Sequence, residues 1–399
     1  MSRCSSGDGR PRGAGAVLAA LAIALWIAPA ARAGSYVFAG DSNGIDLVTH
    51  PSNYNGTGGK VTVSICVDPA SANAEAMVIP VKNIVATMNA FVPKTPNLTF
   101  GADNDIPAGT FDFESLALHE FGHCLSLAHP NQGVKTGVSG ADTNATQSTQ
   151  GPNAMYDFNA GTDTVDGSSD DVRGDDVNLH YFETGINNPF LLPATIDSTT
   201  YTRDIANLPD GHTYTANAAR AAGPLVGAPD TEAAMQQGQG SDEDQRNLQA
   251  DDVATLMYGA TGLDETVGGG DDYTLELVYA GLTTSCDIVA KSDTGTSFAS
   301  CAFGGAFLPP DFEHVVITSG TFRYNPNAVT WYFNPVLACN DIVVDYPHNQ
   351  LVAHSACGTV TAAAGFSVGS AGSVELTGAN VVFENGTSVT GQLTVSTSP

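Results

Sequence analysis

Two segments early in the chain have clear periodicities. Lys60–Val67 alternates apolar and polar residues, which predicts a half-buried β-strand. Ala74–Phe91 carries apolar residues at helical spacing and predicts an amphipathic helix. The following residues, 92–112, are rich in Pro, Asn and Asp and predict a long connection. A second helix is predicted to begin at Phe113 or Glu114, so the order is strand, helix, loop and helix.

The last third of the chain has a different pattern. Gly268-Gly269-Gly270 predicts a linker over residues 263–272. Beyond it, short β-like runs separated by turn residues predict an all-β accessory domain over residues 273–399, similar to a β-sandwich. These runs are Tyr273–Tyr279, Val315–Ile317, Thr330–Phe333, Ile342–Val344 and Leu351–Ala353. Apolar rungs near the end, such as Val374–Leu376, predict a small stacked β element.

The second predicted helix carries the candidate chemistry. His119 and His123 are four residues apart, so both imidazoles lie on one helix face and can reach one metal ion. Glu120 is beside the first ligand and can take a proton from water without binding the metal. His129 can join the site only if the helix stops near Ser126 and the chain turns back, because at about 100° per residue a continued helix would direct it elsewhere.

The stretch H-E-F-G-H-C-L-S-L-A-H resembles the metzincin zinc proteases, whose motif is H-E-x-x-H-x-x-G-x-x-H, and is most similar to the matrixin branch. Ser126 stands where the family has Gly; a serine in that positive-φ turn costs up to about 1–2 kcal/mol. The resemblance implies that His119, His123 and His129 bind zinc and that Glu120 is the general base. The alternative is a buried structural helix with incidental histidines.

Metzincins also have a methionine turn beneath the zinc, and the chain offers two candidates. Met235 is preferred, because residues 251–259 (D-D-V-A-T-L-M-Y-G) resemble the final matrixin helix, with Asp251 as its cap. Met155 is the alternative; an Asp-Asp-Val also follows it, but no Tyr-Gly closes that helix. No tyrosine lies two residues after Met235, so three histidines and water are the implied ligands.

With Met235 in the turn, residues 131–229 form a large insertion. It is rich in Gly, Asn, Thr and Asp, and closely spaced carboxylates on glycine-rich turns suit calcium. The candidate calcium ligands are Asp163, Asp166, Asp170 and Asp175. Their spacing is not that of an EF-hand, and a solvated acidic loop is the alternative.

The N-terminus predicts export. In residues 1–33, arginines precede an apolar run and an Ala-Arg-Ala cleavage site, as in a secretory signal peptide. No second apolar stretch of about 20 residues occurs, so we expect a secreted protein without a membrane anchor. The propeptide cysteine signature of vertebrate matrixins is missing, and a cysteine switch is not expected.

Cysteine usage agrees with export. Seven cysteines become six once Cys4 leaves with the signal peptide, and an even number predicts disulfides. Six cysteines allow fifteen pairings. Proximity in sequence favours Cys66–Cys124, Cys286–Cys301 and Cys339–Cys357. Buried free thiols are the alternative.

The predicted fold class is α+β. A metzincin-like catalytic domain over residues 34–262 (twisted sheet, zinc helix, methionine turn and final helix) would precede the all-β domain. A net charge of −28 with only 14 basic residues argues against a nucleic-acid partner. The predicted function is a secreted zinc metalloendopeptidase acting on protein or peptide substrates, a monomer with Zn²⁺ and a candidate Ca²⁺. The alternative is a secreted binding or surface protein on the same scaffold, with little or no catalysis.

Overall fold

The computed structural model describes residues 36–38, 47–101, 104–129, 228–236, 238–310 and 312–397, together with the short pieces 132–134, 144–146, 158–159, 172–173, 181–182, 190–192, 194–199, 201–202 and 220. The expected signal peptide, residues 1–33, lies outside the described residues.

The described elements follow one another in this order: β1 (Val48–His50), β2 (Gly59–Val67), α1 (Ala74–Ala90), β3 (Thr99–Phe100), β4 (Phe111–Asp112), α2 (Phe113–Leu125), β5 (Gln132–Val134), β6 (Asn144–Thr146), β7 (Phe158–Asn159), β8 (Val172–Arg173), β9 (Tyr181–Phe182), β10 (Tyr201–Thr202), β11 (Glu243–Asp244), α3 (Ala250–Gly259), β12 (Tyr273–Leu282), β13 (Ile288–Ser292), β14 (Ala299–Leu308), β15 (His314–Tyr324), β16 (Trp331–Tyr332), β17 (Ile342–Val344), β18 (Pro347–His348), β19 (Leu351–Ser355), β20 (Thr359–Ala362), β21 (Ser367–Val368), β22 (Ser373–Gly378), β23 (Asn380–Phe383), β24 (Ser388–Val389) and β25 (Gln392–Thr397). The fold is mixed α+β, with few helices and many strands, as the sequence predicts.

A six-stranded sheet forms the centre of the larger part of the molecule. Its order is β1-β15-β13-β2-β12, and β14 pairs with β15 at the side. All pairs are parallel except β14 with β15. The predicted strand Lys60–Val67 is β2, and its apolar residues Val61, Val63 and Ile65 are buried in the core.

The two helices predicted from periodicity are confirmed. Helix α1 buries Met77, Val81, Ile84 and Met88 from one face, and α1 contacts both β12 and α2. Helix α2 begins after Asp112, whose carboxylate accepts a hydrogen bond from the Ser115 backbone N–H. This N-cap satisfies a backbone donor that has no partner within the helix.

The predicted domain division after residue 262 is wrong for the strands β12 to β16, and β16 pairs in parallel with β4, directly before α2. Strand β12 pairs in parallel with β2, from Tyr273 beside Gly59 to Leu282 beside Val67. Strands β13 and β15 continue the same sheet. A short apolar run fits a central sheet as well as a separate β domain, so the pattern alone did not identify its partner.

The strands after residue 341 form a β-rich unit that packs against α1 and β12 through β19, and this unit is not a β-sandwich. Three coils, β17–β19, β20–β22 and β23–β25, stack into three parallel three-stranded sheets. This arrangement is a short parallel β-helix with its own apolar interior, which includes Val344, Val360 and Leu376. The stacked element predicted for the chain end therefore extends over the whole unit.

Three disulfides join cysteines of the described residues, and two of the predicted pairings are wrong. Cys66 pairs with Cys286 and Cys124 pairs with Cys301, whereas Cys339–Cys357 is as predicted. Pairing of β13 with β2 brings Cys286 to Cys66, and β14 lies against α2 and brings Cys301 to Cys124. Sheet pairing, rather than distance in sequence, therefore determines which cysteines meet. Of the helices in the described ranges, none is long and apolar enough to cross a membrane.

Candidate metal centre

Three imidazoles converge at the C-terminal half of α2. His119 and His123 lie one turn apart on the helix, which ends at Leu125. The chain then turns back and brings His129 to the same point. The Nε2 atom of His129 is 3.1 Å from His119 Nε2 and 3.1 Å from His123 Nε2. The three residues singled out as ligands are thus placed together.

Ser126 is the residue at which the helix stops. Its φ is 159° and its ψ is −19°, and its backbone N–H still donates to the Gly122 carbonyl. The Leu127 N–H donates to the same carbonyl, and the Ser126 carbonyl accepts from the Val37 N–H. The turn that His129 needs is therefore present with a serine, at a positive φ that side-chain-bearing residues rarely adopt.

The backbone contacts of two rings determine their tautomers. His119 Nδ1 is 2.8 Å from the Ala234 carbonyl and His123 Nδ1 is 2.7 Å from the Leu127 carbonyl. A carbonyl oxygen only accepts hydrogen bonds, so both Nδ1 atoms must donate and both Nε2 atoms carry lone pairs. A proton on His129 Nε2 could satisfy only one of its two contacts, whereas a cation between the rings satisfies all three nitrogens.

The spacing of these nitrogens fits zinc. Tetrahedral zinc binds imidazole nitrogen at about 2.0–2.1 Å, which places two ligand nitrogens roughly 3.4 Å apart. Burial, followed by the charges of neighbouring histidines, lowers the pKa of His119 well below its usual value, and the same causes lower that of His129 to about 3. Burial also lowers the pKa of His123. Neutral imidazoles are the form that binds zinc.

Glu120 lies beside the three rings and is not among them. Its side chain is buried but lines a cavity of about 180 Å³, together with His119 and His129. Burial raises the pKa of Glu120 to about 7, and a hydrogen bond from the Cys301 backbone partly offsets this effect. A carboxyl group that titrates near neutral pH can both accept and return a proton.

Met235 packs directly beneath the helix that carries the histidines. A Cβ on Gly122 would lie 2.1 Å from Met235 Sδ, so the sulfur occupies the space that a larger residue at position 122 would fill. The rival candidate, Met155, lies outside the described residues. The Met235 side chain thus packs against α2 at Gly122, the residue directly before His123.

Asp252 connects Ala234 and Met235 to α3, and it was not recognised from the sequence as part of the site. Its Oδ2 atom accepts from the backbone N–H groups of Ala234 (2.7 Å) and Gln249 (2.8 Å), and its Oδ1 accepts from Met235 N–H (3.1 Å). Because the Ala234 carbonyl accepts from His119, Asp252 holds the peptide that orients a candidate ligand. The sequence feature that could have identified Asp252 was the Asp251-Asp252-Val253 motif at the start of α3.

The helix cap also differs from the prediction. Gln249, not Asp251, is the N-cap of α3, and it forms a capping box with Asp252. The side chain of Gln249 accepts from the Asp251 N–H, while the Asp252 carboxylate accepts from the Gln249 N–H. The Asp252 carboxylate therefore caps the start of α3 and also accepts hydrogen bonds from the backbone of Ala234 and Met235.

Other histidines form buried pairs. His50 Nε2 is 2.9 Å from His314 Nδ1, and His348 Nε2 is 2.9 Å from His354 Nε2. Within the described part of the chain, only two groups of three metal-ligating side chains converge: the three histidines on and after α2, and a group of three aspartates between α3 and β12. The calcium ligands expected in the insertion, Asp163, Asp166, Asp170 and Asp175, lie outside the described residues.

Comparisons with known proteins add no family assignment. A scan against protein-family models, a search of curated proteins and a search of solved structures each found no match to this chain. The resemblance to metzincins thus rests on the sequence of residues 114–129 and 231–259.

Proposed function

We propose that the chain is a secreted zinc-dependent metalloendopeptidase of the metzincin type, similar to matrixins. The observation that carries this proposal is the convergence of three imidazoles at one point, beside a buried carboxyl group that reaches the same cavity. A structural zinc site uses all its ligands from the protein and has no need of such a carboxyl. The three disulfides in the described part of the chain support export.

Each residue of the site has a distinct role in peptide hydrolysis. His119, His123 and His129 would hold the zinc ion, which supplies Lewis-acid chemistry that polarises a carbonyl and makes water nucleophilic at neutral pH. Glu120 takes the proton of the attacking water and then delivers it to the leaving amine. A pKa near 7 suits both steps, because the group must release the proton as readily as it accepts it.

The groups around the site hold these residues in position. The Ala234 carbonyl fixes the tautomer and ring orientation of His119, and Asp252 holds Ala234 and Met235 in turn. Such outer contacts usually matter for metal affinity nearly as much as the ligands themselves. The arrangement therefore supports a preorganised site that does not need to form around its substrate.

An extended peptide suits the cavity better than a compact small molecule. Phe298 lines the cavity immediately before β14, and Cys301 of β14 contacts Glu120 through its backbone. Within the described strands, β14 pairs only with β15, so its other edge carries N–H and C=O groups in a row. A substrate strand can pair with such an edge, and Cys124–Cys301 fixes this edge to the helix that carries Glu120.

The proposal is tested by incubating the purified protein with casein and identifying the products by mass spectrometry. We expect internal cleavages that a zinc chelator stops and that added zinc restores. Zinc binding without any cleavage of casein or of a mixed peptide library would contradict the proposal and favour the binding protein. Cleavage that a chelator does not affect would exclude the histidine cluster as its source.

A further inference from the structure

Three aspartates gather in the segment that joins α3 to β12, away from the histidine cluster. Asp264, Asp271 and Asp272 each place a carboxylate oxygen within 4.8 Å of those of the other two. Like charges at this separation repel one another. No salt bridge found among the described residues involves any of the three. A cation bound among the three carboxylates would relieve this repulsion.

Backbone donors hold one oxygen of each carboxylate. Asp264 Oδ1 accepts from the Thr266 N–H at 2.9 Å, and Asp272 Oδ2 accepts from the Gly268 N–H at 2.8 Å. Asp271 Oδ2 accepts from the N–H groups of Leu263 (2.6 Å) and Asp264 (3.1 Å). These bonds fix the three side chains, and each leaves a second oxygen for another partner.

The second oxygen of Asp272 is the independent sign of a ligand. Asp272 is only 8% exposed, and its Oδ1 has no hydrogen-bond partner in the part of the chain that the structure describes. A buried carboxylate oxygen without a donor is strongly unfavourable unless an ion or another group satisfies it. Because this carboxylate belongs to the group of three, a cation bound by the group is a partner that would satisfy this oxygen.

The second oxygens of the other two aspartates lie together beside Gly269. A Cβ on Gly269 would be 2.5 Å from Asp271 Oδ1 and 2.8 Å from Asp264 Oδ2. Both oxygens therefore approach the same face of this glycine, and only the absence of a side chain leaves room for them.

We propose that Asp264, Asp271 and Asp272 bind one calcium ion. Three carboxylates give a site of hard oxygen ligands with no nitrogen or sulfur, which suits calcium rather than zinc. Calcium takes six to eight oxygens in flexible geometry, so carboxylates of mixed exposure together with water complete its coordination. Magnesium binds less well, because it requires a near-octahedral set of ligands at shorter distances.

The ion would stabilise a junction of three elements. The Gly58 N–H donates to the Gly270 carbonyl at 3.1 Å, and the Gly59 N–H donates to the Asp272 carbonyl at 2.9 Å. The segment thus holds the start of β2 beside the start of β12, directly after the end of α3. Calcium bound here ties the final helix to the central sheet and acts independently of peptide hydrolysis.

Terbium luminescence tests the site directly, because terbium replaces calcium at oxygen sites and neighbouring tyrosines can sensitise its emission. The Tyr54 hydroxyl donates to the Asp271 carbonyl at 3.2 Å, so a sensitiser is in place. With the zinc-loaded full chain, we expect one saturable terbium per chain that calcium displaces. Calcium should also raise the melting temperature.

The single variants Asp264→Asn and Asp271→Asn should each weaken terbium binding by about ten-fold or more and remove the calcium effect on melting. Both keep an oxygen for the backbone donors, and Asp264 is exposed, so Asp264→Asn should fold even if the other variant does not. The matched control is Asp345→Asn, an exposed aspartate of the β-helix, which should behave as wild type.

Gly269→Ala gives a further check without a change of charge. Its Cβ would crowd Asp264 and Asp271, so it should weaken terbium binding as well. Terbium binding that is equal in Asp264→Asn, Asp271→Asn and wild type would overturn the proposal. Loss of the calcium response in Asp163→Asn/Asp170→Asn, with the response intact in Asp264→Asn, would assign calcium to the insertion instead.

Discussion

The buried glutamate at the start of the zinc helix gives a prediction whose size follows from the structure. Glu114 is only 4% exposed, and its Oε2 atom accepts from the side-chain amides of Asn83 and Asn334, each at 2.9 Å. Burial raises its pKa to about 7; the hydrogen bonds and Arg246 lower the pKa but do not cancel that effect. The native protein therefore keeps this group protonated in a pH range where the unfolded chain ionises it.

The sign of the effect on stability follows from proton binding. Below the unfolded pKa of 4.5 the group is protonated in both states and has no effect. Between 4.5 and about 7 the native state binds more protons, so its stability falls as the pH rises. Above about 7 the full cost of the buried charge is present. A shift of this size corresponds to about 3 kcal/mol of unfolding free energy.

Glu114→Gln should remove this pH dependence, because an amide oxygen can still accept from Asn83 and Asn334 but carries no charge. Urea unfolding should show the variant within about 1 kcal/mol of wild type at pH 5, and more stable by about 3 kcal/mol at pH 8. The exposed Glu75→Gln is the matched control for the loss of one carboxylate and should not reproduce the gain in stability at pH 8. If Glu114→Gln is equally or less stable than wild type at pH 8, the charge is not buried as described.

Three further predictions concern the metal centre. Asp252→Ala should lower the zinc affinity by about ten-fold or more, because Ala234 no longer orients His119. Competition with a chromogenic chelator measures the zinc affinity, and an unchanged affinity would exclude a positioning role for Asp252. Ser126→Gly should stabilise the protein by up to about 1 kcal/mol in thermal unfolding, since glycine tolerates the positive φ. The control Ser126→Ala should show no gain in stability. An equal gain in both variants would refute the conformational explanation. The double variant Cys124→Ser/Cys301→Ser should lose about 2–5 kcal/mol in denaturant unfolding, whereas peptide mapping that links Cys124 to Cys66 would contradict the observed pairing.

Local elements were predictable because their signals are local. The alternation of β2 and the helical spacing of α1 depend on neighbouring residues and on one buried face. The histidine cluster was also predictable, since two ligands lie on one helix and the third follows within ten residues. The end of the helix at Leu125 completes the set without any long-range information.

The long-range pairings were not predictable from the same signals. Strand β12 lies 214 residues after β2 at its first paired position, Tyr273 beside Gly59. A strand shows which of its faces is buried, but not which strand it pairs with. The pairing of Cys66 with Cys286 follows from this sheet order, and so does the placement of Cys301 beside α2. Asp252 was missed as a site residue for a similar reason. Its carboxylate oxygens accept hydrogen bonds from the backbone of Ala234 and Met235, which lie 18 and 17 residues before it and outside α3.

The central claim, that the chain is a zinc peptidase with Glu120 as its general base, is tested most directly by one comparison. Wild type and Glu120→Gln are prepared in parallel, and zinc per chain and the rate of peptide cleavage are measured on the same samples. We predict one zinc per chain in the histidine cluster of both proteins, with cleavage reduced by at least about 100-fold in the variant. Cleavage by Glu120→Gln at the wild-type rate, or wild-type protein without zinc, would contradict the account.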